Sequence, residues 1–383
     1  MHVIVLENEP SSERGGQERS LLDVCRGLAQ RGHRLSLLYV QSGDLLAQYQ
    51  TFCADWYAVS GYRFYPRYPL RSLQQWRRDI FKIPITRDSV IYSNQYHDSL
   101  FGTTFARLRR VPFVCHLRLP PGLPLGVQCN WGMGGTDRLI AVSRQTQVDW
   151  QTAGFERKPI DVVYNAIDVD QFQPTTDLVA CRHRWGLAAG DRAIAYVGRL
   201  DQVKGVETLL RAFAQMTPIN SKNPDAGKAQ IHLLIAGKPL ITQSDYGEHL
   251  KRLTKHLGIE TQVHFLGHVN DPRWVYQASD VVVLPSEWSE PFGRVLIEGM
   301  ACAIPAVGSA IGGIPEVLAD LPYNALFQPG NQAELANRLE MLIDWRSHQP
   351  DLGQQCRQHV KVKFLLSHTI DGVETALHRA LKG

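Results

Sequence analysis

Residues 281–302 read V-V-V-L-P-S-E-W-S-E-P-F-G-R-V-L-I-E-G-M-A-C, and this passage decides the fold. Its opening apolar run, 281–285, reads as a parallel strand buried on both faces, because a strand with one wet face would alternate. Glu290 and Glu298 follow, eight residues apart, with Pro291, Phe292 and Gly293 between the first carboxylate and a helical stretch. A strand that enters a short loop and then a helix places unpaired helix N–H groups at the carboxyl edge of a sheet, where open α/β sheets bind ligands. Glu290 on the loop and Glu298 in the helix can then accept hydrogen bonds from two parts of one polyhydroxylated ligand. Such an arrangement points to a sugar nucleotide.

Upstream, Gly198-Arg-Leu-Asp-Gln-Val-Lys-Gly205 follows another strand and leads into a helix over 206–216. Arg199 and Lys204, beside a helix amino terminus, form a cradle for a diphosphate. Arg199 can grip phosphate oxygens with its fork, whereas Lys204 acts as a point charge. The pair would stabilise the charge growing on a departing diphosphate without a metal ion. Two solvated surface cations are the plain alternative.

Three further places carry polar chemistry at expected strand ends. Gly15 and Gly16 follow the first strand and permit a close backbone approach, although a plain turn would use them equally. They do not form a G-x-G-x-x-G string, which disfavours nicotinamide binding. His116, in the strand 112–117, can bond a sugar hydroxyl or serve only the interior. Asn94 opens a polar run, Asn94 to Asp98, and fits either a ligand contact or a helix cap.

Residues 61–82 interleave Arg63, Arg67, Arg71, Arg77, Arg78 and Lys82 with Tyr62, Phe64, Tyr65, Tyr68, Trp76 and Phe81. Two readings stay open: contact with an anionic membrane surface or phosphorylated acceptor, and a solvated helix whose aromatic residues fill the core.

The chain has 383 residues, enough for two domains that each bury a core. A formal net charge of +4, with no basic stripe beyond 61–82, argues against nucleic-acid partners. The start is expected to be a first strand rather than a leader, and no apolar run approaches the roughly 20 residues that cross a bilayer. The 7 cysteines are scattered and never C-x-x-C, which disfavours a zinc site and fits a reducing, cytoplasmic setting.

Strand-like runs alternate with helical ones, which favours parallel sheets. The first set is expected at 2–6, 34–40, 55–59, 89–93, 112–117, 138–142 and 161–164. The second set is expected at 192–197, 230–236, 262–266, 280–284 and 305–307. Residues 220–228 read as an exposed loop insertion. The expected division is 1–167 and 168–365, with 366–383 a helix returning to the first domain.

In combination these motifs resemble the retaining glycosyltransferases of family 4. Glu290 and Glu298 match its E-x7-E signature, Gly198–Gly205 its G-R-L-x-x-x-K-G phosphate motif, Gly15 and Gly16 its glycine loop, and His116 its strand-end histidine. The phrases at 165–168 (N-A-I-D), 265–269 (F-L-G-H-V) and 312–316 (G-G-I-P-E) also match. The resemblance implies the GT-B fold, two Rossmann-like domains facing each other across a deep cleft. It implies a nucleotide diphosphate sugar donor on the second domain and a sugar, lipid-linked or small-molecule acceptor on the first. Glu298 is expected at the ribose, and Glu290 at the hexose hydroxyls with the amides of Phe292 and Gly293. Arg199 and Lys204 are expected at the diphosphate, His116 near the reacting carbon, Asn94 among the substrate-binding groups, and Gly267 to Val269 at the base. Gly16 is expected to let the first domain close over the donor. The reaction implied is metal-independent transfer of a hexose, first glucose from UDP, with front-face attack, retention and no cofactor. The alternatives are GDP-mannose-dependent transfer, a sugar-nucleotide-binding module, and an epimerase. One departure is Gly237-Lys238-Pro239, where the family often has G-x-G-P, so Lys238 is either an added phosphate or base contact or a surface lysine.

Overall fold

The computed structural model describes residues 1–12, 15–216, 229–239 and 244–383; the loop insertion expected at 220–228 lies outside them. The chain divides into two compact units, Met1–Ala166 with Leu366–Gly383, and Ile167–Leu365.

The first unit is built on strands β1 (His2–Glu7), β2 (Arg34–Tyr39), β3 (Asp55–Ala58), β4 (Ser89–Ser93), β5 (Phe113–Leu117), β6 (Arg138–Ala141) and β7 (Ile160–Val162). They form one seven-stranded sheet in the order β3-β2-β1-β4-β5-β6-β7. Every adjacent pair is parallel. Both faces are covered, so β1 is apolar nearly throughout. Ile4 and Leu6 enter one core cluster while Val3 and Val5 enter another, as the two-residue period of a strand requires. The helix Gly16–Gln30 presents Leu21, Val24, Cys25 and Leu28 to the second cluster at helical spacing. The last helix, Leu366–Lys382, buries Ile370, Val373, Ala376 and Leu377 in that same cluster.

The second unit holds β8 (Arg192–Val197), β9 (Ile231–Ala236), β10 (Val263–Gly267), β11 (Val281–Leu284), β12 (Ala306–Ser309) and β13 (Leu326–Phe327). Their order is β10-β9-β8-β11-β12-β13, again parallel. β13 was absent from the sequence-based expectation because two residues are too short to show any period. At the amino edge of this sheet Asp280, wholly buried, takes Arg182 at 2.7 Å and Arg346 at 2.9 Å. That ion cluster fastens two helical segments to the edge away from the strands' carboxyl ends.

Each sheet reverses its strand order once, between β1 and β4 and between β8 and β11. The carboxyl ends of the strands at such a reversal are the usual ligand position in open α/β sheets. Residues 198–205 and 285–293 leave the second reversal; Gly15, Gly16 and Asn94 lie beyond the first. The topology therefore gathers motifs that are far apart in sequence.

Candidate functional site

In the second unit, residues 198–205 and 285–293 are stitched together by backbone contacts. Glu287 N–H donates to the Val203 carbonyl at 2.9 Å. Gly205 has φ +67°, and a Cβ there would lie 1.8 Å from the Pro285 carbonyl oxygen. Only glycine allows both the turn and this close approach. Asp201 caps the single turn Gln202–Lys204, which brings Lys204 toward the neighbouring loop. Its Nζ lies 2.5 Å from Glu290 Oε2 and 5.2 Å from the Trp288 ring centroid.

Glu290 is fixed from its backbone side as well, since its carbonyl accepts Gly313 N–H at 2.7 Å. Gly312 has φ +60°, and a Cβ there would meet that carbonyl oxygen at 2.2 Å. The G-G-I-P-E segment thus serves as a backing for Glu290. Phe292 is buried against Phe364, with ring centroids 5.6 Å apart. Gly293 stands immediately before the helix Arg294–Ala301.

Glu298, nearly buried inside that helix, accepts from Tyr276 Oη at 2.8 Å and Arg294 Nε at 2.9 Å. Each carboxylate oxygen retains a lone pair for a further donor. Burial, then the Glu298 charge, pushes the Tyr276 hydroxyl well above its ordinary pKa, so it stays protonated as a donor. Arg199 is partly exposed, and its guanidinium makes no hydrogen bond or ion pair among the described residues. Gly267 ends β10 at an irregularity in its pairing, and its carbonyl accepts Gly237 N–H at 2.7 Å; Val269 is partly exposed just beyond.

The first unit treats its predicted residues differently. Gly15 and Gly16 lie at the start of the helix Gly16–Gln30, Gly16 exposed. Asn94 is wholly buried and donates to Glu7 Oε2 at 3.2 Å and the Gln17 carbonyl at 3.4 Å. His116 is the penultimate residue of β5 and 0% exposed. Its Nδ1 pairs with Tyr92 Oη at 2.6 Å, and Nε2 has no partner. Burial, with the nearby Arg118 charge adding to it, holds the imidazole well below its ordinary pKa and therefore neutral. The residue beyond the strand end is Arg118, which was passed over in the sequence although it follows His116 by two positions.

The aromatic side chains of 61–82 divide between core and surface. Tyr62 and Trp76 belong to the core, with Phe64 packed against it. Tyr65, Tyr68, Leu70, Leu73 and Phe81 are exposed among the arginines. Among the described residues one group has the proximity of metal ligands: His33, Glu374 and His378, whose candidate ligand atoms all lie within 4.8 Å of one another. None of these belongs to the motifs above, and Glu374 is already paired with His33 at 2.7 Å and with Arg31. No helix among the described residues is long and apolar enough to cross a membrane.

Comparison with known proteins fits this layout. Residues 181–359 match the family described as glycosyl transferases group 1, and residues 14–171 the family described as glycosyltransferase family 4. The chain is 32% identical over 250 residues to the D-inositol 3-phosphate glycosyltransferase of Mycolicibacterium smegmatis, covering 64% of this chain and 53% of that protein. It spans about half the length of the curated relatives it matches. Among solved structures, Anabaena HepE in complex with UDP-glucose superposes with a TM-score of 0.83 at 23% identity, over 99% of this chain and 100% of that one. Sucrose-phosphate synthase from Thermosynechococcus elongatus gives 0.77 at 20% identity, over 100% and 99%. At such identities the structural likeness speaks for the fold.

Proposed function

The chain belongs to the group 1 glycosyltransferases of the GT-B fold, and from that premise we propose that it transfers a hexose from a nucleotide diphosphate sugar to an acceptor hydroxyl. UDP-glucose is the first donor to consider, because the relative in fold HepE is recorded in complex with UDP-glucose. The curated relatives named D-inositol 3-phosphate glycosyltransferase support the reaction class.

One observation carries the proposal: Lys204 and Glu290 meet at 2.5 Å at the point where the second sheet reverses its strand order. A lysine has three N–H donors. It can therefore hold Glu290 and still offer N–H groups to a diphosphate, so the carboxylate stays poised for hexose hydroxyls. Arg199, uncommitted within the described residues, adds a bidentate grip on the same phosphates. Glu298 takes ribose hydroxyls, held in orientation by Tyr276 and Arg294. The backbone around Gly267 and Val269 meets the base, and the amides at Phe292 and Gly293 assist Glu290.

The chemistry follows from the leaving group. As the bond between the anomeric carbon and the phosphate oxygen breaks, negative charge gathers on the diphosphate beside Arg199 and Lys204. A phosphate oxygen takes the acceptor proton while the acceptor oxygen bonds the same face of the sugar, which retains configuration. His116, held through Nδ1 by Tyr92, is assigned near the reacting carbon, with its unpartnered Nε2 as the group available to the sugar. We assign acceptor recognition to the first unit, and the exposed residues Tyr65, Tyr68 and Leu70 with their arginines to contact with an anionic membrane surface. Seven free thiols suit a reducing compartment.

The test is product analysis with UDP-glucose and candidate polyols and glycolipids. An acceptor-linked hexose of unchanged anomeric configuration, formed in the presence of a strong chelator, supports the proposal. Free or epimerised sugar without acceptor product would favour an epimerase, and a chelator block reversed by magnesium would remove the metal-independent step.

A further inference from the structure

The first unit contains a buried cation with an unused donor. Arg118 is 5% exposed, immediately beyond β5. Its Nε donates to Asn94 Oδ1, its Nη1 donates to Asn165 Oδ1 at 2.7 Å, and its Nη2 has no hydrogen-bond partner. Both named partners are neutral amide oxygens. The Glu7 carboxylate reaches this network through the Asn94 amide, and Arg118 makes no ion pair among the described residues. Buried guanidinium groups are otherwise found with a counter-charge and with their donors satisfied, because removing an unpaired charge from water is costly. Here the two amides hold the planar fork in place beside the Tyr92 hydroxyl, while the Nη2 atom is left without an acceptor. The free Nε2 of His116, two residues earlier, is a second unpartnered polar atom in the same stretch.

We propose that Arg118 is an oxyanion-binding position that receives a phosphate oxygen on its free Nη2. A phosphate suits the guanidinium in charge and in geometry, and a neutral hydroxyl would leave the buried charge uncompensated. Asn94 and Asn165 are positioning residues for this contact. Two phosphates could supply the oxygen: the diphosphate of the donor, or a phosphate carried by the acceptor. The choice between them rests on the transferase reading above; the anion position itself does not.

The test is hydrogen exchange of residues 113–119 in the full chain, titrated with inorganic phosphate in chloride buffer of constant ionic strength. Phosphate should protect this segment in the wild type. Arg118→Gln should need about tenfold more phosphate or greater for the same protection, the scale of one lost charged hydrogen bond. Arg118→Lys, which keeps the charge and guards against a folding failure of the glutamine variant, should fall between. Added UDP-glucose that displaces phosphate from this segment assigns Arg118 to the donor; phosphate protection that persists beside bound UDP-glucose assigns it to a phosphorylated acceptor. Absence of phosphate protection in the wild type, or equal protection in Arg118→Gln, overturns the proposal. Because the probe is phosphate, loss of UDP-glucose binding would count against the transferase reading alone.

Discussion

Lys204 Nζ and Glu290 Oε2 stand 2.5 Å apart, although 86 residues separate them in the chain. The contact exists because β8 and β11 are neighbours and their following loops converge. It joins the group proposed for phosphate to the group proposed for hexose, so the two should act as one unit.

That coupling predicts a non-additive double-mutant cycle. Lys204→Ala and Glu290→Ala should each lower turnover with the donor by about 100-fold, the scale of one lost transition-state contact. The double variant should lose much less than the product of the two. Steady-state kinetics on all four proteins check this, and full additivity would separate the two roles.

Gly312 gives a backbone test of the same site. Gly312→Ala places a Cβ against the Glu290 carbonyl in a left-handed conformation, and should cost about 1–3 kcal/mol of stability while slowing turnover. Gly330→Ala is the control, since φ there is +77° with nothing within 4 Å of the added atom. It should lower the urea midpoint but leave turnover unchanged.

Arg199 and Glu298 should separate chemistry from binding. Arg199→Ala removes charge stabilisation that grows in the transition state, so kcat should fall more than donor affinity. Glu298→Gln also frees Arg294 from its ion pair, and should chiefly weaken donor binding. Calorimetric affinity beside single-turnover rates distinguishes the two, and indistinguishable variants would refute the assignments.

Imidazoles held below their ordinary pKa by full or partial burial contribute to the pH response of stability. Burial comes first in holding His2, His116 and His264 below their ordinary values in the folded state. The unfolded chain therefore binds more protons below about pH 6.5, and stability must rise with pH through that window and fall as pH drops below it. The urea midpoint should be higher at pH 7.5 than at pH 5.5. Replacing His116 by Gln should flatten the slope, by at most about 1.4 kcal/mol per pH unit for one proton. A midpoint that stays level or rises on acidification would contradict this.

The sequence disclosed the second unit's motifs because Gly198–Gly205 and 281–302 are unbroken strings at strand ends, each followed by a helix with an apolar stripe. It could not disclose what those groups touch. Glu298 meets Tyr276 from a preceding helix, and no local spacing records that contact. In the first unit the strand 112–117 was legible to its last residue, Leu117, yet the partners of Arg118 just beyond it, Asn94 and Asn165, were not. Alternation assigns side chains to faces but does not say what a residue beyond the strand touches. The 61–82 segment held two readings because core and surface aromatic residues are interleaved at helical spacing, and composition alone does not phase them.

The most direct measurement is binding and slow hydrolysis of UDP-, GDP- and ADP-hexoses by the full chain, with Glu290→Ala beside it. The account predicts that one donor, UDP-glucose first, binds and is hydrolysed slowly, and that hydrolysis falls about 100-fold or more in the variant. Failure of every nucleotide hexose to bind, or hydrolysis indifferent to Glu290, would contradict it.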